Sequence, residues 1–357
     1  MPHAAHIGSR RAMTIVDVAV SVGSATLLIG VVSATAAALR PASGTAVSMA
    51  NSMQLGAAHA LYAMDHNGLQ WCTHKTEFGL TGGNCSQYLA LDCPPLVILG
   101  MDLFGGVWGY YVGGTGCVTW FPGNCGNWVM YQPMDFSVSP GAGYGGWRMM
   151  AIRSFHDYLN GRYFDPTFWA PNDRSAYRAA SPNFSYPGEF IYSSATFQWS
   201  SYAMSSSAMW DPQVFRSPSQ GGFRSPSSFA DAYRRQALFG AAHPELKTLV
   251  LEHNWCQGGT PPMGSFGSTP TTYAYNASAS ATPVALFYDG HVWTMSNAQA
   301  IADDASLIKR GLDGLWSRDT PFGQDGYLGA QSIDGSRTSH SVLTTDGILG
   351  RDVLTPQ

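Results

Sequence analysis

The sequence is short of charge. Asp, Glu, Lys and Arg together make up 12% of the 357 residues, about half of the roughly 25% that is usual for a soluble protein. The formal net charge is −4, so the chain lacks the basic field that a nucleic acid requires, and we predict no nucleic acid partner. Glycine, serine, asparagine and aromatic residues take the place of the charges, which is typical of an exported, loop-rich protein.

Sequence motifs of catalysis are also missing. The chain has no Gly-x-Ser-x-Gly nucleophile elbow, no phosphate-binding loop and no His-Glu-x-x-His metal motif. Ser306 and Lys309 have the Ser-x-x-Lys spacing of a serine acylase, but no partner motif follows. Asp289, His291 and Glu252 could serve as acid and base, yet the first two fit a hairpin turn better. We therefore predict that the protein is not an enzyme.

Cysteines are few, and no two of them stand in the tight Cys-x-x-Cys spacing of structural zinc sites. An even number of cysteines in an exported chain favours disulfides. Cys117 and Cys125 flank the turn "CVTWFPGNC" and are the best candidates for one pair; the other pairings stay open. We predict no metal site, although zinc is the alternative interpretation of two groups: His66, Cys72, His74 and Cys85, and His253 with Cys256.

The amino-terminal segment predicts a membrane anchor. Residues 1–12 are polar and end close to Arg10 and Arg11, whereas residues 13–39 are apolar apart from Asp17. This stretch exceeds the roughly 20 residues that a spanning helix needs, and the two arginines place the leader in the cytoplasm. A plain signal peptide and a twin-arginine export signal cleaved within 34–38 are the alternatives. Neither explains Asp17, because a carboxylate inside a membrane is costly without a partner.

The stretch "RRAMTIVD" resembles the leader-peptidase site of type IV prepilins and type II secretion pseudopilins. The resemblance implies a cut between Ala12 and Met13, methylation of the new amino terminus, and a family acid at the fifth mature position, which is Asp17. In the family this carboxylate neutralises the amine of a neighbouring subunit during assembly, which fits the cost of an unpaired charge in lipid. Ala12 stands where Gly is commoner, and Asp17 stands where Glu is commoner.

A second helix signal follows the anchor. Apolar residues recur at spacings of three and four within residues 40–68, which predicts an amphipathic helix whose apolar face packs on the globular domain. The "NG" at Asn67 and Gly68 predicts its end. The segment is similar to the second half of the long prepilin helix, which implies one helix with a transmembrane half and an amphipathic half. The apolar positions are Val47, Ala50, Met53, Ala57, Leu61 and Met64.

Residues 69–297 are predicted to form the head, an antiparallel β-sheet with long loop insertions, so the fold class is α+β. The runs "SYAM", "KTLVLEH" and "FYDGHV" stand in the order of motifs in large prepilin-like proteins. Asp289, Gly290 and His291 form the closing motif of that order. Asp289-Gly290 between two β-forming runs predicts a type I′ hairpin.

Residues 298–357 are predicted to form an acidic, glycine-rich tail. Hard carboxylates suit calcium, but the spacing matches no EF-hand, and a solvated acidic loop is the interpretation that we favour. Calcium therefore stays a possible cofactor, and we expect no other. The acids are Asp303, Asp304, Asp313, Asp319, Asp325 and Asp334.

The resemblance implies a structural function. We expect a pilin-like subunit of a type IV pilus or of a type II secretion assembly, with prepilin peptidase, other pilin-like subunits and the inner membrane as partners. Its single membrane pass would leave the head in the periplasm or on the cell surface. The alternative is an exported, envelope-anchored binding protein, whose many Trp and Tyr rings would stack on carbohydrate.

Overall fold

The computed structural model describes residues 44–73, 96–111, 132–134, 136, 145–191, 200–253, 276, 279–322 and 341–356. Within them the fold is α+β, as predicted. The helices are α1 (Gly44–Asp65), α2 (Arg153–His156), α3 (Arg174–Ala180), α4 (Ser206–Met209) and α5 (Asn297–Lys309). The strands are β1 (Leu96–Met101), β2 (Val107–Tyr111), β3 (Tyr202–Met204), β4 (Thr248–Glu252), β5 (Val284–Phe287) and β6 (Val292–Thr294).

The central sheet is antiparallel and has four strands in the order β3-β4-β5-β6. Its register sets Ala203 against Leu251, Leu251 against Ala285, and Ala285 against Trp293. Every residue of β3, β4 and β5 is buried, so the middle of the sheet is covered on both faces. Strands β1 and β2 form a separate antiparallel pair. The predicted antiparallel sheet is thereby confirmed.

Helix α1 packs across β5 and β6. The contact is close because Gly56 has no side chain: a Cβ atom there would lie 3.1 Å from Cδ2 of Leu286. The helix ends as predicted, since Asn67 and Gly68 both take positive φ and the Gly68 N–H donates to the Ala63 carbonyl at 2.7 Å. Such a left-handed terminus satisfies carbonyls that the last turn would otherwise leave without donors.

Short 3₁₀ turns occur in the segments that connect these elements. Several begin with a proline at the first helical position, where the missing N–H is not needed. They are Gly146–Arg148, Pro166–Phe168, Ser181–Asn183, Pro212–Val214, Pro218–Gln220, Pro226–Ser228, Ala230–Tyr233 and Gly347–Leu349.

The carboxyl-terminal region corrects the prediction of a solvated acidic loop. Asp303 and Asp304 lie on α5 and are buried. Their carboxylates accept from backbone N–H groups at 2.8 Å, Asp303 from Leu354 and Asp304 from Leu315. The acids therefore fasten loops to the helix, because a buried carboxylate is tolerated where donors surround it. These donors could not be predicted from the composition of the tail, since Leu354 is distant in sequence from Asp303.

Candidate functional site

The apolar face of α1 points to solvent. All six apolar positions that the sequence indicated fall on the side away from the core, and none of them is buried. The exposed fractions are 49% for Met53, 43% for Leu61 and 65% for Met64. The prediction that this face packs on the head is wrong. What results is a continuous apolar strip along the helix, formed by Val47, Ala50, Met53, Ala57, Leu61 and Met64, which we call the apolar strip.

The inward face of α1 is mixed: Leu55, Ala58 and Ala63 belong to the hydrophobic core, and hydrogen bonds hold polar side chains beside them. Ser48 Oγ lies 2.8 Å from the hydroxyl of Tyr202, and Asn51 Nδ2 donates to the same hydroxyl at 3.2 Å. Further along, the hydroxyl of Tyr62 accepts from Arg235 at 2.7 Å. Buried polar groups are acceptable only with such partners. Periodicity identified the exposed apolar positions as one side of the helix, but Leu55, Ala58 and the partners in the head decide that the opposite side is buried.

Two buried polar side chains on this inward face have no hydrogen-bond partner among the described residues, Ser52 and His59. The larger of them is His59. It is fully buried, and neither ring nitrogen has a hydrogen-bond partner within the described part of the chain. Its ring packs on Phe155, with centroids 4.5 Å apart. Burial lowers the pKa of His59 to about 3, so the ring is neutral at physiological pH.

Asp289, Gly290 and His291 form the β5–β6 turn. The Gly290 N–H donates to the Phe287 carbonyl at 3.0 Å, and the Phe287 N–H donates to the His291 carbonyl at 3.0 Å. Gly290 has a φ of 90°, while its two predecessors keep negative φ. The hairpin is confirmed, but the loop has three residues and a left-handed glycine, so the predicted type I′ turn is wrong.

His291 closes the loop, where it contacts Asp289 and Phe287. Its Nδ1 lies 2.6 Å from Oδ1 of Asp289, and its ring stacks on Phe287 with centroids 4.2 Å apart. Glu252 lies beside the start of β5, where it accepts from the Val284 N–H at 3.0 Å. With about 3.3 Å per strand residue, the length of β5 separates it from the turn. The structure does not bring the three candidate acid and base residues together.

A buried ion pair lies where the carboxyl terminus meets the sheet, and no sequence motif indicated it. Lys247 and Asp352 are both fully buried, and Nζ lies 3.1 Å from Oδ2. The same ammonium donates to Ser205 Oγ at 2.8 Å and to Thr344 Oγ1 at 2.6 Å. The ion pair and the bond from the Thr248 N–H to Asp352 fasten residues 341–352 to β4.

The groups around Lys247 and Asp352 shift the pKa of each. Burial alone would raise the pKa of Asp352, but Lys247 and the N–H groups of Thr248 and Ser341 outweigh it, and the pKa lies below the ordinary value. Burial lowers the pKa of Lys247, and Asp352 opposes that shift. The carboxylate is therefore the form that this site stabilises.

The remaining tail acids do not gather around a cation within the described residues. Asp319 accepts from the Phe223 N–H at 2.7 Å and from Ser317 Oγ at 2.9 Å. Asp313 and Asp346 line a surface pocket of about 300 Å³ together with His243 and Arg351. Burial raises the pKa of Asp346, and Asp313 adds to the effect. Asp325 and Asp334 lie outside the described residues.

Several predicted site residues also lie outside the described residues: Ala12, Met13, Asp17, Cys117 and Cys125. The same holds for His74, Cys85 and Cys256 of the alternative zinc groups. His66 stacks on Tyr62 at a centroid distance of 3.8 Å. Among the helices of the described ranges, none combines the length and apolar character needed to cross a membrane; residues 13–39 are not among them.

Comparison with models of protein families, with curated proteins and with solved structures finds no match to this chain.

Proposed function

We propose that the protein is a membrane-anchored, pilin-like or pseudopilin-like subunit with a structural role in an envelope assembly. The apolar strip of α1 carries the proposal. Contiguous apolar surface on a folded monomer marks a site of contact with protein or membrane. In the proposed assembly α1 continues the helix of residues 13–39, and the apolar strip packs against the equivalent helices of neighbouring subunits.

The hydrogen bonds beneath α1 support this orientation. Ser48, Asn51 and Tyr62 each have a partner in the head. Rotating the helix to bury its apolar strip would break these bonds and leave several polar groups without partners. Each such group costs about 1–3 kcal/mol. The helix therefore keeps its apolar side available to another molecule.

The amino-terminal residues complete the proposal. Prepilin peptidase would cut between Ala12 and Met13 and methylate Met13, and Asp17 would pair with the amine of the next subunit in the inner membrane. The head would then stand in the periplasm or on the cell surface.

The carbohydrate-binding alternative has less support. It relied on aromatic rings at the surface, but most tryptophans that the structure describes belong to the core. Trp293, with an exposed fraction of 52%, is an exception. The buried ones are Trp71, Trp147, Trp169, Trp210 and Trp316.

Mass spectrometry of the mature amino terminus tests the anchor. A methylated Met13 supports the pilin-like proposal. A start just after residues 34–38 supports release as an exported protein. An intact Met1 in protein isolated from its native envelope would refute the cleavage on which the assembly depends.

Lysine substitutions test the apolar strip independently. The Met53→Lys/Met64→Lys variant should lose the higher oligomers that chemical crosslinking traps in cells. Its thermal unfolding should change little because both side chains are exposed. Ile308→Lys/Leu312→Lys is the matched control, since these apolar residues have exposed fractions of 49% and 54% and lie elsewhere. Equal crosslinking of the two variants and the wild type would count against the proposal.

A further inference from the structure

His156, Asp157 and Glu189 meet at the end of α2. His156 is fully buried. Its Nε2 lies 3.0 Å from Oε1 of Glu189 and 3.8 Å from Oδ1 of Asp157. On the other side of the ring, Nδ1 lies 3.0 Å from the carbonyl oxygen of Ala151. The three possible ligand atoms all lie within 4.8 Å of one another.

Both ring nitrogens of His156 thus face oxygen atoms that can only accept. A neutral imidazole has one N–H, so only one of these two oxygen atoms can accept it. In the tautomer that carries the proton on Nδ1, the Ala151 carbonyl accepts it. The lone pair of Nε2 is then directed at the carboxylate of Glu189. In metal sites a ligating histidine donates its other N–H to a carbonyl in this way, and the metal lies between the free nitrogen and the carboxylates.

We propose that His156, Asp157 and Glu189 form a binding site for a divalent cation of the zinc class. Two ligands about 2.1 Å from one tetrahedral ion lie about 3.4 Å apart, and the distances from Nε2 to Oε1 of Glu189 and to Oδ1 of Asp157, 3.0 and 3.8 Å, lie on either side of that value. One imidazole and two carboxylates suit Zn²⁺, while Ca²⁺ takes oxygen ligands. The other oxygen of Glu189 accepts from the Met101 N–H at 3.0 Å, which fixes the carboxylate.

Arg153 is a competitor for the same carboxylates. Its Nε lies 3.2 Å from Oε1 of Glu189 and 3.9 Å from Oδ2 of Asp157. The arginine side chain is 38% exposed, so it can move into solvent when a cation binds. If Arg153 only completed an ion-pair network, its removal would loosen the cluster and would not raise the affinity for any metal ion.

Zinc titration of the purified full-length protein, stripped with a chelator, tests the site. Isothermal titration calorimetry should detect one Zn²⁺ per chain, and zinc should raise the melting temperature. Asp157→Asn and Glu189→Gln should each weaken binding at least about tenfold. Arg153→Gln should strengthen it several-fold, because the competing charge is gone. Co²⁺ should give visible absorption bands that both carboxylate variants alter.

Asp231→Asn is the matched control for Asp157→Asn, since Asp231 is likewise an exposed acid and lies outside this cluster. Its zinc affinity should equal that of the wild type. Near-ultraviolet circular dichroism identifies any variant that fails to fold. Asp157→Asn alters a half-exposed side chain, so this variant still tests the site if Glu189→Gln does not fold. Absence of Zn²⁺ binding, or binding that Asp157→Asn and Arg153→Gln leave unchanged, would overturn the proposal.

Discussion

The Asp352→Asn substitution is expected to destabilise the protein by about 3–5 kcal/mol, because it leaves the Lys247 ammonium buried without a counter-charge. The asparagine amide adds to this loss of stability. In the native protein both carboxylate oxygens accept hydrogen bonds, Oδ1 from Ser341 N–H at 2.9 Å and Oδ2 from Thr248 N–H at 2.9 Å. An asparagine would turn its NH₂ toward one of these donors, so we expect the upper part of that range.

Lys247→Met should cost less than Asp352→Asn. The carboxylate that it leaves behind keeps the donors Thr248, Ser341 and Thr344, whereas the lone ammonium keeps only hydroxyl acceptors. Because the two side chains form one pair, the double variant should lose about 1–3 kcal/mol less than the sum of the single variants.

Urea unfolding followed by tryptophan fluorescence measures these differences. Glu245→Gln is the control, as this half-buried acid lies two residues before Lys247 and should change the unfolding free energy by no more than about 0.5 kcal/mol. A loss below about 1 kcal/mol for Asp352→Asn, or strict additivity in the double variant, would refute the idea that the ion pair secures the carboxyl terminus.

The pH dependence follows from the lowered pKa of Asp352. A group whose pKa is lower in the folded state stabilises the protein above its unfolded pKa of 3.8, and that contribution is lost as the pH falls through the folded value. Asp352→Asn should therefore remove part of the acid-induced loss of stability, while Glu245→Gln should not.

Two further predictions concern His59 and Gly290. Since burial lowers the pKa of His59 from 6.5 to about 3, the unfolded state alone binds its proton between these values. Stability should fall by about 2 kcal/mol from pH 7 to pH 5. Urea unfolding of His59→Leu should show a smaller fall, and an equal one would contradict the argument. Gly290→Ala should cost about 1–2 kcal/mol in thermal unfolding, since no atom lies within 4 Å of the added Cβ and only its positive φ is strained. A variant as stable as the wild type would show that the loop relaxes.

Local sequence patterns predicted the elements whose cause is local. The "NG" pair marks the end of α1 because Asn67 and Gly68 accept positive φ. The β-forming runs around Asp289-Gly290 became β5 and β6. The type of turn was wrong because an Asp-Gly pair is compatible with several loop lengths, and the pairing of Phe287 with His291 selects among them.

Most of the candidate sites could not be predicted from the sequence. Lys247 and Asp352 are far apart in the chain, as are His156 and Glu189, and neither pair leaves a spacing signature. The amphipathic pattern of residues 40–68 showed the two faces of the helix, but the assumption that the apolar face is buried failed. Tyr202 and Arg235 supply partners for the polar side, and they come from distant parts of the chain.

The sequence by itself determined where α1 ends and which runs form β5 and β6, since these depend on backbone preferences and on neighbours within a few residues. It also determined the low charge and the apolar, acid-bearing segment from which a membrane anchor is proposed. Only the tertiary structure decided which face of α1 meets solvent and which acids are buried. Those outcomes depend on hydrogen-bond donors and charges that reach each site from remote segments, and no local pattern records them.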